Sequence, residues 1–154
     1  MARAILQTLM GAAGAVGFAV LFRIEGRKLW VALGGALAWA VYLLCMWLGL
    51  GVFASLVCAT AAASLLSEIL ARAVKAPAVI LLVPMLVPLI PGGDLYYMMS
   101  YLVRGDMTAF AQAARLVITE AGAIALGIIC VSSAVNILAG LRGHARGPRR
   151  LWPW

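Results

Sequence analysis

The chain has 154 residues, 66% of them apolar and only 11% charged, with a mean hydropathy of +1.08. A soluble domain is about half apolar and about a quarter charged, so a water-soluble fold is excluded and the expected solvent is lipid. The net charge of +7 does not point to nucleic acid, because the basic residues sit at the ends of apolar runs, where membrane proteins carry their topology signals.

The first apolar run, Ala4 to Phe22, lies between Arg3 and Arg23. At about 1.5 Å per residue it nearly crosses a bilayer core of about 30 Å. Ala13-Gly14-Ala15 resembles a signal-peptidase site, but Arg23, Arg27 and Lys28 follow the run and only Arg3 precedes it. That is the reverse of a secretory signal, so a span is expected. From Leu29 to Ser67 there is no charge. This length suits two spans, about 29–48 and 51–71, with Gly49-Leu50-Gly51 as the turn. A charged connector, Arg72 to Lys75, leads to a fourth apolar run, Pro77 to Val103, which Arg104-Gly105-Asp106 closes. Thr108 to Arg115 is expected to start helical outside the membrane, and Leu116 to Leu138 is the fifth span. A basic tail, 142–154, follows and ends Leu-Trp-Pro-Trp; its tryptophans suit either interfacial anchoring or a disordered end.

The expected fold is therefore all-α, with five transmembrane helices, the fourth broken at Pro-Gly-Gly. Five spans leave Arg3, Arg104 and Arg115 on one side and the other nine basic residues on the opposite side. The positive-inside rule then puts the N-terminus outside and the C-terminus in the cytoplasm. Merging the second and third spans would mix the two sets.

The fourth run carries the strongest functional signal. It reads Pro77-Ala-Val-Ile-Leu-Leu-Val-Pro84-Met-Leu-Val-Pro88-Leu-Ile-Pro91-Gly92-Gly93-Asp94-Leu-Tyr96-Tyr97. Each interior proline lacks an N–H and frees the carbonyl four residues back, making Ile80, Pro84 and Val87 candidates. Gly92 and Gly93 permit backbone angles that end a helix. Unwound backbone at this depth is tolerated inside protein or beside a water-filled cavity, and the run's centre, near residue 90, lies at the bilayer midplane. Broken helices build substrate sites at that depth in secondary transporters.

Asp94 stands where a second half-helix, about 94–103, should begin. It suits an N-cap, but a carboxylate near the midplane costs about 2.5–3.5 kcal/mol on insertion scales. Asp94 is therefore read as a binder of a proton or of a substrate ammonium. The adjoining helix N-terminus offers N–H groups to a carboxylate, so together they suit a zwitterion. Tyr97, with Tyr96 and Tyr101, either lines the same cavity or belongs to an interfacial belt.

Two further acids are candidates. Glu68 belongs to a polar stripe, Thr60, Ser64, Glu68 and Arg72, and is expected to pair with Arg72 one turn on. Glu120 lies about a turn and a half into the fifth span. It is expected to reach the outer interface or Arg115, with a proton-relay role second to that of Asp94. Ser55, Ala59, Ala63 and Ser67 form a small-residue stripe for close helix approach. Gly11, Gly14 and Gly17 are expected to pack, as are Ala123 and Gly127, while Ser132 and Asn136 can hydrogen-bond across helices. Cys45, Cys58 and Cys130 have neither metal nor redox spacing, and His144 is the single histidine. With no catalytic constellation and no phosphate loop, neither an enzyme nor a cofactor is expected.

Ser67-Glu68-Ile-Leu-Ala-Arg72-Ala-Val-Lys75-Ala-Pro77, Val83-Pro84, and Val87-Pro88-Leu89-Ile90-Pro91-Gly92-Gly93 followed by Tyr97 resemble the bacterial threonine/serine exporter family. Ala15-Val16-Gly17-Phe18-Ala19 in the first span does too. The match is to the small subunit of the split type, which corresponds to the C-terminal half of single-chain members. The resemblance implies a larger partner with about five spans and a cytoplasmic domain, and a proton-driven export of small hydroxy amino acids or small carboxylates. It implies the bacterial inner membrane as the location, and transfers no site residues. Odd-span halves must be oppositely oriented, as in inverted-repeat transporters. The alternatives are a homo-oligomer or a non-transporting structural or regulatory subunit of another complex.

Overall fold

A computed structural model describes residues 2–21 and 34–144. Among these residues the secondary structure is entirely helical. In chain order the elements are α1 (Ala2–Leu21), α2 (Gly34–Trp47), α3 (Val52–Val74), α4 (Ala78–Leu86), a 3₁₀ turn (Val87–Leu89), α5 (Gly92–Val103) and α6 (Met107–His144). The basic cluster at residues 23–28 and the tail beyond 144 lie outside the described residues, so the charge count that orients the chain is not addressed by the fold.

Two helices, α3 and the Met107–Leu138 part of α6, are long and apolar enough to cross a bilayer. Residues 78–89 and 92–103 qualify together as a third, bent by 58° at the break. The described parts of the first two expected spans give shorter apolar helices, Thr8–Leu21 and Gly34–Trp47.

The helix ends follow local chemistry. Gly49 takes a φ of +84° in the expected turn between α2 and α3, and Gly105 one of +76° between α5 and α6. Both are values that a Cβ disfavours. Lys75 closes α3 in the left-handed region, its N–H donating to the Ala71 carbonyl. Asp106 starts α6, its carboxylate accepting from the Ala109 N–H at 3.0 Å, as an N-cap does.

Helix α3 is the hub, packed on α2, α4 and α6. Its stripe of Ser55, Ala59, Ala63 and Ser67 is fully buried. The core adds Ala38, Leu81, Met85, Leu89 and Ala123. Small residues dominate because lipid gives helices no hydrophobic reason to associate, and close van der Waals contact must do so instead. A Cβ at Gly127 would collide with the Thr60 side chain and come within 2.9 Å of the Val57 carbonyl. The buried hydroxyls answer to their own helix: Thr60 donates to the Leu56 carbonyl at 2.7 Å and Ser67 to that of Ser64 at 2.8 Å.

Helix α1 packs differently from expectation. Ala15 and Ala19 are fully buried, and Gly11 lies against Pro88 and Trp39. A side chain at Gly14 or Gly17 would meet no described atom within 4 Å. Steps of four residues hold one face, whereas steps of three drift by about 60° each, so the packing stripe is Gly11, Ala15 and Ala19.

Candidate functional site

The break in the fourth apolar run is real but lies earlier than the sequence suggests. Helix α4 continues through Pro84 and gives way at Val87 to a 3₁₀ turn. Ile90 is extended (φ −67°, ψ 128°) and Pro91 stands as the cap of α5. The helical run is therefore interrupted at Ile90 and Pro91, after a 3₁₀ turn, and Pro88 and Pro91 supply no N–H there. Gly92 and Gly93 are the first residues of α5 and have no positive φ. The Val87 carbonyl, expected to be freed, accepts the Ile90 N–H at 3.3 Å.

This shift redefines Asp94, which is the third residue of α5 and not its cap. Gly92 N–H reaches the Ile90 carbonyl at 2.7 Å and Leu95 N–H the Pro91 carbonyl at 3.0 Å. The first-turn N–H groups of Gly93 and Asp94 are left without a helical acceptor, as at any helix start. The Gly pair adds open space beside them, since a side chain at either glycine would meet no described atom within 4 Å.

Glu120 on α6 departs most from expectation. It is 8% exposed, and its Oε2 is buried without a hydrogen-bond partner among the described residues. Arg115, its expected partner, is exposed, and no ion pair joins them among the described residues. Glu120 instead lies within electrostatic reach of Asp94, and both acids act on the phenol of Tyr42 in α2. Packing of α5 along α6 puts the two acids on neighbouring helices.

Tyr42 and its neighbour Trp39 were not singled out by sequence. Their rings lie 5.1 Å apart, tilted by 36°. The Trp39 Nε1 is also buried without a hydrogen-bond partner among the described residues. The signal available was their i, i+3 spacing within an uncharged run, which a uniformly apolar background hides.

Tyr97 is exposed and packs edge-on against Tyr96, ring centroids 5.6 Å apart. Glu68 is half-buried on α3 and Arg72 exposed, and the expected ion pair between them is missing among the described residues. Pro91 is half-buried.

Two carboxylates within electrostatic reach of each other repel, and a proton or a bound cation relieves the repulsion. The arrangement is thus suited to exchanging one for the other. Among the described residues no group of three or more side chains is placed to hold a metal ion.

Comparison with known proteins supplies the family. The family model described as "Threonine/Serine exporter, ThrE" matches residues 7–134, a stretch that includes the break and both acids. Neither the curated proteins nor the solved structures give a match. With most of its length covered by that model, the chain belongs to the threonine/serine exporter family, whose members are membrane transporters of amino acids.

Proposed function

We propose that the chain is a subunit of a bacterial secondary transporter that exports small amino acids, threonine and serine first among them, in exchange for protons. Asp94 and Glu120 alternate between holding a proton and holding the substrate ammonium. The free N–H groups at the start of α5 receive the substrate carboxylate. The observation that carries this reading is the buried Glu120 oxygen, without a hydrogen-bond partner among the described residues and within electrostatic reach of the acid of the broken helix. A buried orphan acceptor costs about 1–3 kcal/mol, and a purely structural helix gains nothing from it.

The reading includes five spans, the first two containing α1 and α2, the N-terminus outside and the basic tail in the cytoplasm of the bacterial inner membrane. It includes a larger membrane subunit with a cytoplasmic domain, whose own broken helix completes the site. The test is threonine transport in inside-out vesicles from cells that express the complete exporter. Glu120→Gln and Asp94→Asn are each expected to remove proton-driven transport while leaving membrane insertion intact. Unchanged flux in both variants contradicts the assignment.

A further inference from the structure

The two orphaned polar atoms in the interior have opposite hydrogen-bonding sense. Glu120 Oε2 is an acceptor and Trp39 Nε1 is a donor, and both are buried without partners among the described residues. Most buried polar groups are paired, so each calls for an explanation. An indole N–H has only one way to be satisfied, which is to donate. Tyr42 relates the two residues: its ring packs on Trp39, centroids 5.1 Å apart, and its phenol lies within electrostatic reach of Glu120 and Asp94. Trp39 also borders the break, since it and Pro88 flank Gly11.

From this juxtaposition we infer that Trp39 is the specificity residue of the transport site, its indole N–H donating to the side-chain hydroxyl of the substrate. The inference rests on the exporter reading above and extends it to a residue that reading does not use. The other two substrate groups have better partners: the ammonium faces the acids, and the carboxylate is repelled by them and drawn to the start of α5. The hydroxyl oxygen is the remaining acceptor, and the indole the remaining donor. A site built to hydrogen-bond a substrate hydroxyl rejects the analogue that lacks it, because the site's own buried group is then left unpaired.

The experiment compares L-threonine with L-2-aminobutyrate, its deoxy analogue, in inside-out vesicles carrying the complete exporter. The unsubstituted protein is expected to favour threonine by about tenfold or more in kcat/KM. Trp39→Phe keeps the ring and removes the N–H. It is expected to bring that ratio to about one, by losing threonine and by relieving the penalty on 2-aminobutyrate, whose flux should not fall. The 2-aminobutyrate flux also reports that the variant is folded and inserted. Equal transport of both substrates by the unsubstituted protein overturns the inference without any variant. So does an equal loss of both substrates in Trp39→Phe, which marks a structural role. Failure of the exporter reading looks different: full threonine flux in Glu120→Gln removes the acid site while the threonine preference stands. Absence of flux for either substrate in the unsubstituted protein overturns both.

Discussion

Helix α6 passes through two regions of contrasting character less than two turns apart. At Gly127 it lies on α3 so closely that no side chain fits between them, with Ala123 fully buried one turn earlier, and the nearby hydroxyl of Thr60 is satisfied by its own backbone. At Glu120 it carries a buried carboxylate oxygen that nothing described satisfies, within electrostatic reach of Asp94 and Tyr42. The first region spends its sequence on contact and leaves no polar group wanting. The second gives up stability to keep polar groups ready. In a bilayer the difference is informative, because water is not at hand to repair an omission.

Several changes would break or sharpen this contrast. The largest effect is expected from Glu120→Gln, which should lower proton-driven threonine flux by about a hundredfold or more, as loss of a positioned acid–base group does. Because the acids act as a unit, the Asp94→Asn, Glu120→Gln double variant should be little worse than either alone when the same flux is measured. Gly127→Val should act on the other region. Overpacking costs about 1–3 kcal/mol, read as a lower thermal midpoint in detergent, and the exporter's substrate preference should survive in what remains folded. Thr60→Val should change stability by less than about 1 kcal/mol, since that hydroxyl only returns to its own helix. Gly14→Ala should be smallest, within about 0.5 kcal/mol, because that face of α1 meets no described atom.

The sequence made the packing region legible and only part of the site. The turn at Gly49 and the closure at Arg104-Gly105-Asp106 were legible because their chemistry is local, whereas the N-cap that Asp106 provides was not read in advance. The stripe of Ser55, Ala59, Ala63 and Ser67 was readable from four-residue spacing alone. The break was placed slightly late, at Pro91-Gly92-Gly93, whereas the helical run is interrupted at Ile90 and Pro91. Glycine permits unusual angles but does not demand them, and Gly92 and Gly93 continue a helix that Pro91 starts. Asp94 was identified, yet its partner was not: a glutamate at that position can snorkel, pair with Arg115 or turn inward, and the position of α5 decides. Trp39 and Tyr42 were hidden because a run without polar residues has no periodic contrast to show which face is inside.

The central claim is that proton and substrate compete for one pair of carboxylates. The most direct test is proton release on threonine binding, followed with a pH indicator in weakly buffered, purified exporter. The account predicts release of about one proton per bound threonine in the unsubstituted protein near neutral pH, and none in Glu120→Gln. Equal proton release from both proteins would contradict it.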